Sequence, residues 1–86
     1  MGGDEFVMVL DGIHSLDEAE AIAQKVRRVA QTPIMTSSGS ITASLSIGVT
    51  IRAPGEDVDS VIARADLALY QAKRSGRNRV VAVPVP

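Results

Sequence analysis

Two short stretches, one near each end of the chain, hold side chains able to do chemistry. The first is Gly2-Gly3-Asp4-Glu5-Phe6, which runs directly into Val7-Met8-Val9-Leu10. Two glycines let a backbone turn tightly and approach a bulky ligand, since neither carries a Cβ to block it. Two carboxylates follow, and the apolar run after them reads as a strand that would hold them rigidly. Hard oxygen ligands beside a glycine turn suit a Mg²⁺–nucleotide site, because Mg²⁺ takes one or two carboxylates together with substrate phosphates. The same letters also fit an ordinary hairpin turn and a solvated acidic strand end.

The second stretch is Lys73-Arg74-Ser75-Gly76-Arg77-Asn78. Lys73 falls in the last turn of a helical pattern and Arg77 just past a glycine cap. A point charge and a planar fork held close together can grip phosphate oxygens. Cations at the carboxyl end of a helix also need no ligand, since they complement its dipole. Asn78 reads as support for the turn. His14, beside a turn and a helix cap, reads as a surface residue.

The elements that must position these groups follow from periodicity. Phe6 to Leu10 is continuously apolar, as a strand covered on both faces would be. Asp11-Gly12 turns the chain, and Ser15-Leu16-Asp17-Glu18 has the form of a capping box. The helix that follows carries Ala19, Ile22, Ala23, Val26, Val29 and Ala30 on one face, places Arg27 and Arg28 near its end, and stops at Thr32-Pro33. After a polar loop over residues 35–40, the odd positions Ile41, Ala43, Leu45, Ile47, Val49 and Ile51 alternate with Thr42, Ser44, Ser46, Gly48 and Thr50. That alternation predicts one long strand with one dry face, with a bend or bulge near Gly48. Asp57 caps a second helix, with Val58, Val61, Ile62, Ala65, Ala68, Leu69 and Ala72 on one face and Gly76 as its left-handed cap. Arg79 to Val83 forms a last strand, ended by Pro84 and Pro86.

Bulk properties exclude several function classes. At 86 residues the chain is one domain at most, and a chain this short buries only about 60–65% of its unfolded surface. A net charge of −1 leaves no electrostatic footprint for a nucleic acid or a membrane surface. Phe6 and Tyr70 are the only aromatic residues, too few for a base-stacking platform. Without cysteine there are no disulfides and no thiolate metal sites. No secretion signal or spanning helix is recognisable, so the expected location is the cytoplasm, with no membrane contact from this chain.

Gly2-Gly3-Asp4-Glu5-Phe6 resembles the signature of the GGDEF family, the diguanylate cyclases, which make cyclic di-GMP from two GTP. Ser46-Ile47-Gly48-Val49 resembles the strand that the family places after its first following helix. Arg64-Ala65-Asp66, Ala68-Leu69-Tyr70 and Ala72-Lys73 resemble its second hallmark. The resemblance covers residues 1–86 and corresponds to the C-terminal half of a GGDEF domain. It implies an α/β (α+β) fold of the nucleotide-cyclase type, ordered β-α-β-α-β, with a mostly antiparallel sheet and helices packed on it. It also implies roles: Asp4 as the ligand of Mg²⁺ (Mn²⁺ as the alternative ion), and Asp4 and Glu5 together as the catalytic turn. Gly2 and Gly3 give the phosphates of GTP room, and Lys73 and Arg77 hold the β- and γ-phosphates. Each domain would hold one GTP, so the partner is a second GGDEF domain, in a homodimer or swapped dimer. The family's upstream segments supply a second metal-binding aspartate and the groups that read guanine, so this chain alone is expected to have little cyclase activity. The competing expectation is a non-catalytic regulatory or dimerisation module derived from such a domain.

Overall fold

The computed structural model describes residues 4–11, 15–41 and 44–86, with Asp4 and Asp11 described in the backbone only. Gly2, Gly3, the glycine of the Asp11-Gly12 turn and His14 therefore lie outside the described residues. The elements are β1 (Asp4–Asp11), α1 (Leu16–Ala30), β2 (Ile34–Thr36), β3 (Gly39–Ile41), β4 (Leu45–Arg52), α2 (Val58–Arg74) and β5 (Arg79–Ala82). No described helix is long and apolar enough to cross a membrane.

Both helices begin where their side chains predict. The Glu18 N–H donates to Ser15 Oγ at 3.1 Å, and the Ser15 N–H donates back to Glu18 Oε1 at 3.2 Å, which completes the capping box of α1. Asp57 Oδ1 accepts from the Asp59 N–H at the start of α2. At the far end of α2 the Arg77 N–H reaches the Ala72 carbonyl at 3.0 Å and the Gly76 N–H reaches that of Lys73 at 3.4 Å. This is a Schellman closure, and Gly76 makes it with φ +119°.

The main sheet has the order β1-β4-β5, and both of its pairings are parallel. The expectation of a mostly antiparallel sheet is corrected accordingly. Each link between neighbouring strands of this sheet passes through a helix, and a helical crossover returns the chain to its starting end before the next strand begins. Among the described residues, antiparallel pairing is confined to the small exposed hairpin of β2 and β3.

That hairpin also divides the long strand expected over residues 41–51. Thr36 Oγ1 donates to the Gly39 carbonyl at 2.7 Å and accepts from the Ser38 N–H, while Gly39 turns the chain at φ +121°. Ile41 is thereby paired with Ile34, and β4 begins only at Leu45.

β4 is the centre of the molecule, and both of its faces are covered. Leu45, Ile47 and Val49 pack with Ala19 and Ala23 of α1 and with Val80 of β5. Ser46, Gly48 and Thr50 lie under α2. A Cβ added at Gly48 would come within 2.5 Å of the Ala65 carbonyl oxygen and 2.7 Å of Leu69 Cα, and closer still to the Leu69 nitrogen. Gly48 therefore marks a close approach of helix to strand, and β4 keeps unbroken register with both neighbours through it, with no bulge. Alanines at positions 65, 68 and 72 of α2 make the same close packing possible from the helix side.

β1 lies at the edge among the described strands, and the exposure of Phe6 and Val7 corrects the expectation that both its faces are covered. Phe6 is 52% exposed because α1 leans over β4 and β5 rather than over β1. For the same reason Ile22, Val26 and Val29, expected on the buried face of α1, stay exposed, and only Ala19 and Ala23 are fully enclosed.

Candidate functional site

Strand register brings the two ends of the sequence together. Glu5 is aligned with Ser46, and Ser46 is aligned with Arg79 on its other side, so β1, β4 and β5 all start near one level. α2 ends at that same level, because it delivers the chain into β5. The result is that Glu5 Oε2 lies 3.3 Å from Lys73 Nζ and 3.9 Å from Arg77 Nη1. One carboxylate oxygen faces two cations that follow it by almost the whole length of the chain.

Magnitudes decide what this cluster is for. The Lys73 side chain is 33% exposed, Glu5 42% and Arg77 61%. Exposed ion pairs contribute about 0.2–1 kcal/mol, so the cluster adds little to stability. The cations keep spare donors open to solvent, which is what an anionic ligand needs. Their place is also unusual. Open parallel sheets ordinarily bind ligands outside the carboxyl ends of their strands, whereas this cluster sits at the amino ends. A helix carboxyl end carries a partial negative charge. Attraction for an anion therefore has to come from the side chains of Lys73 and Arg77, and two full charges supply it.

The backbone that presents Arg77 is held in an uncommon conformation. Arg77 has φ +62° and Asn78 φ +47°, directly after the left-handed Gly76. The Asn78 N–H donates to Ser46 Oγ at 3.2 Å. Arg79 Nε donates to the Arg77 carbonyl at 3.1 Å.

Of the residues expected in the site, Glu5, Lys73 and Arg77 converge. Asp4 is the first residue of β1, paired with Leu45 in the backbone beside Glu5. Gly2 and Gly3 fall outside the described residues. The described groups fit an anion better than a divalent cation, since they comprise one carboxylate already faced by two cations. Among the described residues no three acidic or histidine side chains converge in a way that could hold a metal. The groove of about 670 Å³ between α2 and the chain end, lined by Leu67, Val83 and Pro84 among others, lies elsewhere.

A second charged cluster was not foreseen. Arg64 is buried under the other half of α2 and donates Nε to Thr50 Oγ1 at 2.8 Å and Nη2 to the Ile51 carbonyl at 2.7 Å. Its guanidinium also clasps both oxygens of Glu56, and the Thr50 hydroxyl in turn donates a hydrogen bond to the Val83 carbonyl at 2.6 Å. Hydrogen bonds from Arg64, then one from the Ala53 N–H, hold the Glu56 carboxyl down at about 2. The Arg64 pKa is raised in turn by Glu56. The signal was present in the sequence: Arg64 shares the face of Val61, Ala65 and Ala68, where a charged side chain needs a partner.

The described fold is thus an α/β unit built on a parallel strand core, with an acidic strand start facing a cationic helix end. The family model described as "Diguanylate cyclase, GGDEF domain" matches residues 1–79, and the chain belongs to this GGDEF family. It is similar to Diguanylate cyclase A of Treponema denticola, with 40% identity over 92% of this chain and 22% of that protein. It is also similar to the diguanylate cyclases DgcM and DosC of Escherichia coli. These are 43% and 44% identical over 94% and 92% of this chain, and 19% and 17% of theirs. The chain thus spans about a fifth of the length of these curated relatives. No solved structure matches it.

Proposed function

We propose that this chain is the C-terminal half of the GGDEF domain of a diguanylate cyclase, and that its two charged stretches surround the triphosphate of one GTP. The observation that carries the reading is the convergence of Glu5 with Lys73 and Arg77. In it, Lys73 and Arg77 neutralise charge on the β- and γ-phosphates and the departing pyrophosphate, and Gly2 and Gly3 let the phosphates approach the backbone. Asp4 and Glu5 form the acidic catalytic turn, with Asp4 as the ligand of Mg²⁺. The ion, when bound, offsets the negative charge that gathers on the reacting phosphate oxygens. In the reaction, the 3′-hydroxyl of one GTP attacks the α-phosphorus of the other, expelling pyrophosphate, and the second half repeats it to close cyclic di-GMP. Each domain contributes one GTP, so two domains must face each other in a dimer, and the compartment is the cytoplasm, where GTP is available.

The residues gathered here amount to one acidic turn and one cationic pair. Positioning and charge stabilisation supply most of the rate in phosphate chemistry. The 86-residue chain alone is therefore expected to make little or no cyclic di-GMP. Incubation with GTP and Mg²⁺ followed by chromatography tests this, and product at an enzyme-like rate would refute it. Calorimetric titration of GTP, with and without Mg²⁺, tests the site itself. Metal-dependent binding should disappear in Asp4→Ala, and persistence of that dependence would remove Asp4 from the role.

The exposed Phe6 on edge strand β1 favours a second reading, a module that works by self-association. Unpaired strand edges pair readily with another chain. Sedimentation of a stable monomer at high protein concentration would count against it.

A further inference from the structure

We infer that Ser46 and Asn78 are positioning residues of the anion site, setting the backbone from which Arg77 reaches Glu5. The inference rests on the reading of Lys73 and Arg77 as phosphate-gripping cations, and concerns what holds them ready. Arg77 and Asn78 are consecutive non-glycine residues in the left-handed region. Each L-residue held there costs on the order of 1–2 kcal/mol, with asparagine the most tolerant. Such a pair persists only where surroundings over-determine it, and such surroundings are present.

Gly76 ends α2 in the left-handed cap, and the Arg77 N–H is spent on the Ala72 carbonyl. The next N–H, that of Asn78, would be buried against β4, and Ser46 Oγ accepts it at 3.2 Å. Ser46 is 3% exposed on the central strand, in register with Glu5 on one side and Arg79 on the other. Its side chain is thus the acceptor for the left-handed pair, carried at the strand position in register with Glu5. From the other side, Arg27 of α1 directs Nη1 to Asn78 Oδ1 at 3.5 Å, itself steadied by Gln24 and Gln31. A long arginine side chain loses less on binding when its Cα and exit direction are already set. Ser46 and Asn78 supply that setting without touching the ligand.

The test uses the full 86-residue chain and sodium tripolyphosphate as the probe, titrated by calorimetry at low salt. Ser46→Ala removes the acceptor, and Asn78→Val places a β-branched residue in the left-handed region. Each is expected to weaken tripolyphosphate binding about tenfold. Asn78→Gly keeps the conformation accessible and should stay within about threefold of the unaltered chain. Adding Arg77→Ala to either weakened variant should cost little more, because the two changes act through one contact. The inference is overturned if Ser46→Ala and Asn78→Val fold with unchanged circular dichroism and bind as tightly as the unaltered chain. It is equally overturned if their losses add in full to that of Arg77→Ala. Should Asn78→Val fail to fold, Ser46→Ala carries the same test alone. If Arg77→Ala itself leaves binding unchanged, or the unaltered chain does not bind, the underlying site reading fails first and this inference falls with it.

Discussion

Two charged clusters flank α2, Arg64 with Glu56 in its first half and Lys73 with Arg77, just past its end, facing Glu5, and the two do opposite things. Arg64 and Glu56 are only 8% and 15% exposed in their side chains, and the donors of Arg64 are directed at Thr50, Ile51 and Glu56. Arg77 stands mostly in water and Lys73 partly so, opposite Glu5 at 3.9 and 3.3 Å, and among the described residues Glu5 is their one ion-pair partner. A saturated, enclosed guanidinium ties a loop, a helix, a strand and the chain end into one body. An unsaturated, exposed pair has no comparable structural role and is available to a ligand. Residue type and partner are the same in both places. Burial and the number of donors already committed are what separate them.

The largest test of that contrast is the double variant Lys73→Ala with Arg77→Ala. Tripolyphosphate affinity should fall about a hundredfold, since each hydrogen bond to a charged group is worth about 1.5–3 kcal/mol. The melting midpoint, read by circular dichroism, should stay within a few degrees. A large drop in melting temperature would mean that this pair, too, serves the fold. Arg64→Met should behave in the opposite sense. Its melting midpoint is expected to drop on the order of 10 °C, as Thr50, Ile51 and Glu56 lose their shared donor, while anion affinity hardly moves.

Acidity gives a finer separation. The Glu56 carboxyl titrates at about 2 in the folded chain against an ordinary 4.5. A depressed carboxylate stabilises the folded state fully above its unfolded pKa and ceases to do so as pH falls through the folded value. Stability should therefore decline between about pH 4.5 and 2, and denaturant melts across that window should show a shallower decline in Arg64→Met. The smallest expected effect belongs to Glu5→Gln. Removing the carboxylate that competes for Lys73 and Arg77 should tighten tripolyphosphate binding about threefold, the scale of one exposed ion pair. Weaker binding instead would show that Glu5 helps to arrange the cations rather than competing for them.

Local rules were legible wherever one segment decides its own shape. Ser15 and Glu18 announce the start of α1, and Gly76 announces the end of α2, because capping chemistry needs only neighbours a few residues away. What the alternation over residues 41–51 could not say is which strand would claim Ile41, since that depends on the turn at Gly39 and on Ile34. Nor does alternation distinguish a dry face from a face packed by small residues. Ser46, Gly48 and Thr50 look solvent-facing by composition, yet they lie under α2 because the helix opposes them with alanine. Strand direction is a different case: the expectation comes from the resembled family's whole sheet, whereas β1, β4 and β5 are connected to one another through helices. In the site, each half was readable as charged, but nothing local says that Glu5 meets Lys73 and Arg77. That came from the resemblance, and the register of β1 on β4 supplies the geometry.

The same register has a consequence for how the chain assembles. β1 is made before β4, and the pairing of the two waits until β4 exists, because Phe6 is aligned with Ile47. The helix and hairpin between them can form before that pairing does. Sheet formation is thus a late closure of a long loop, the kind of step that slows folding. During synthesis, the acidic end of the chain waits on the ribosome's output of its centre.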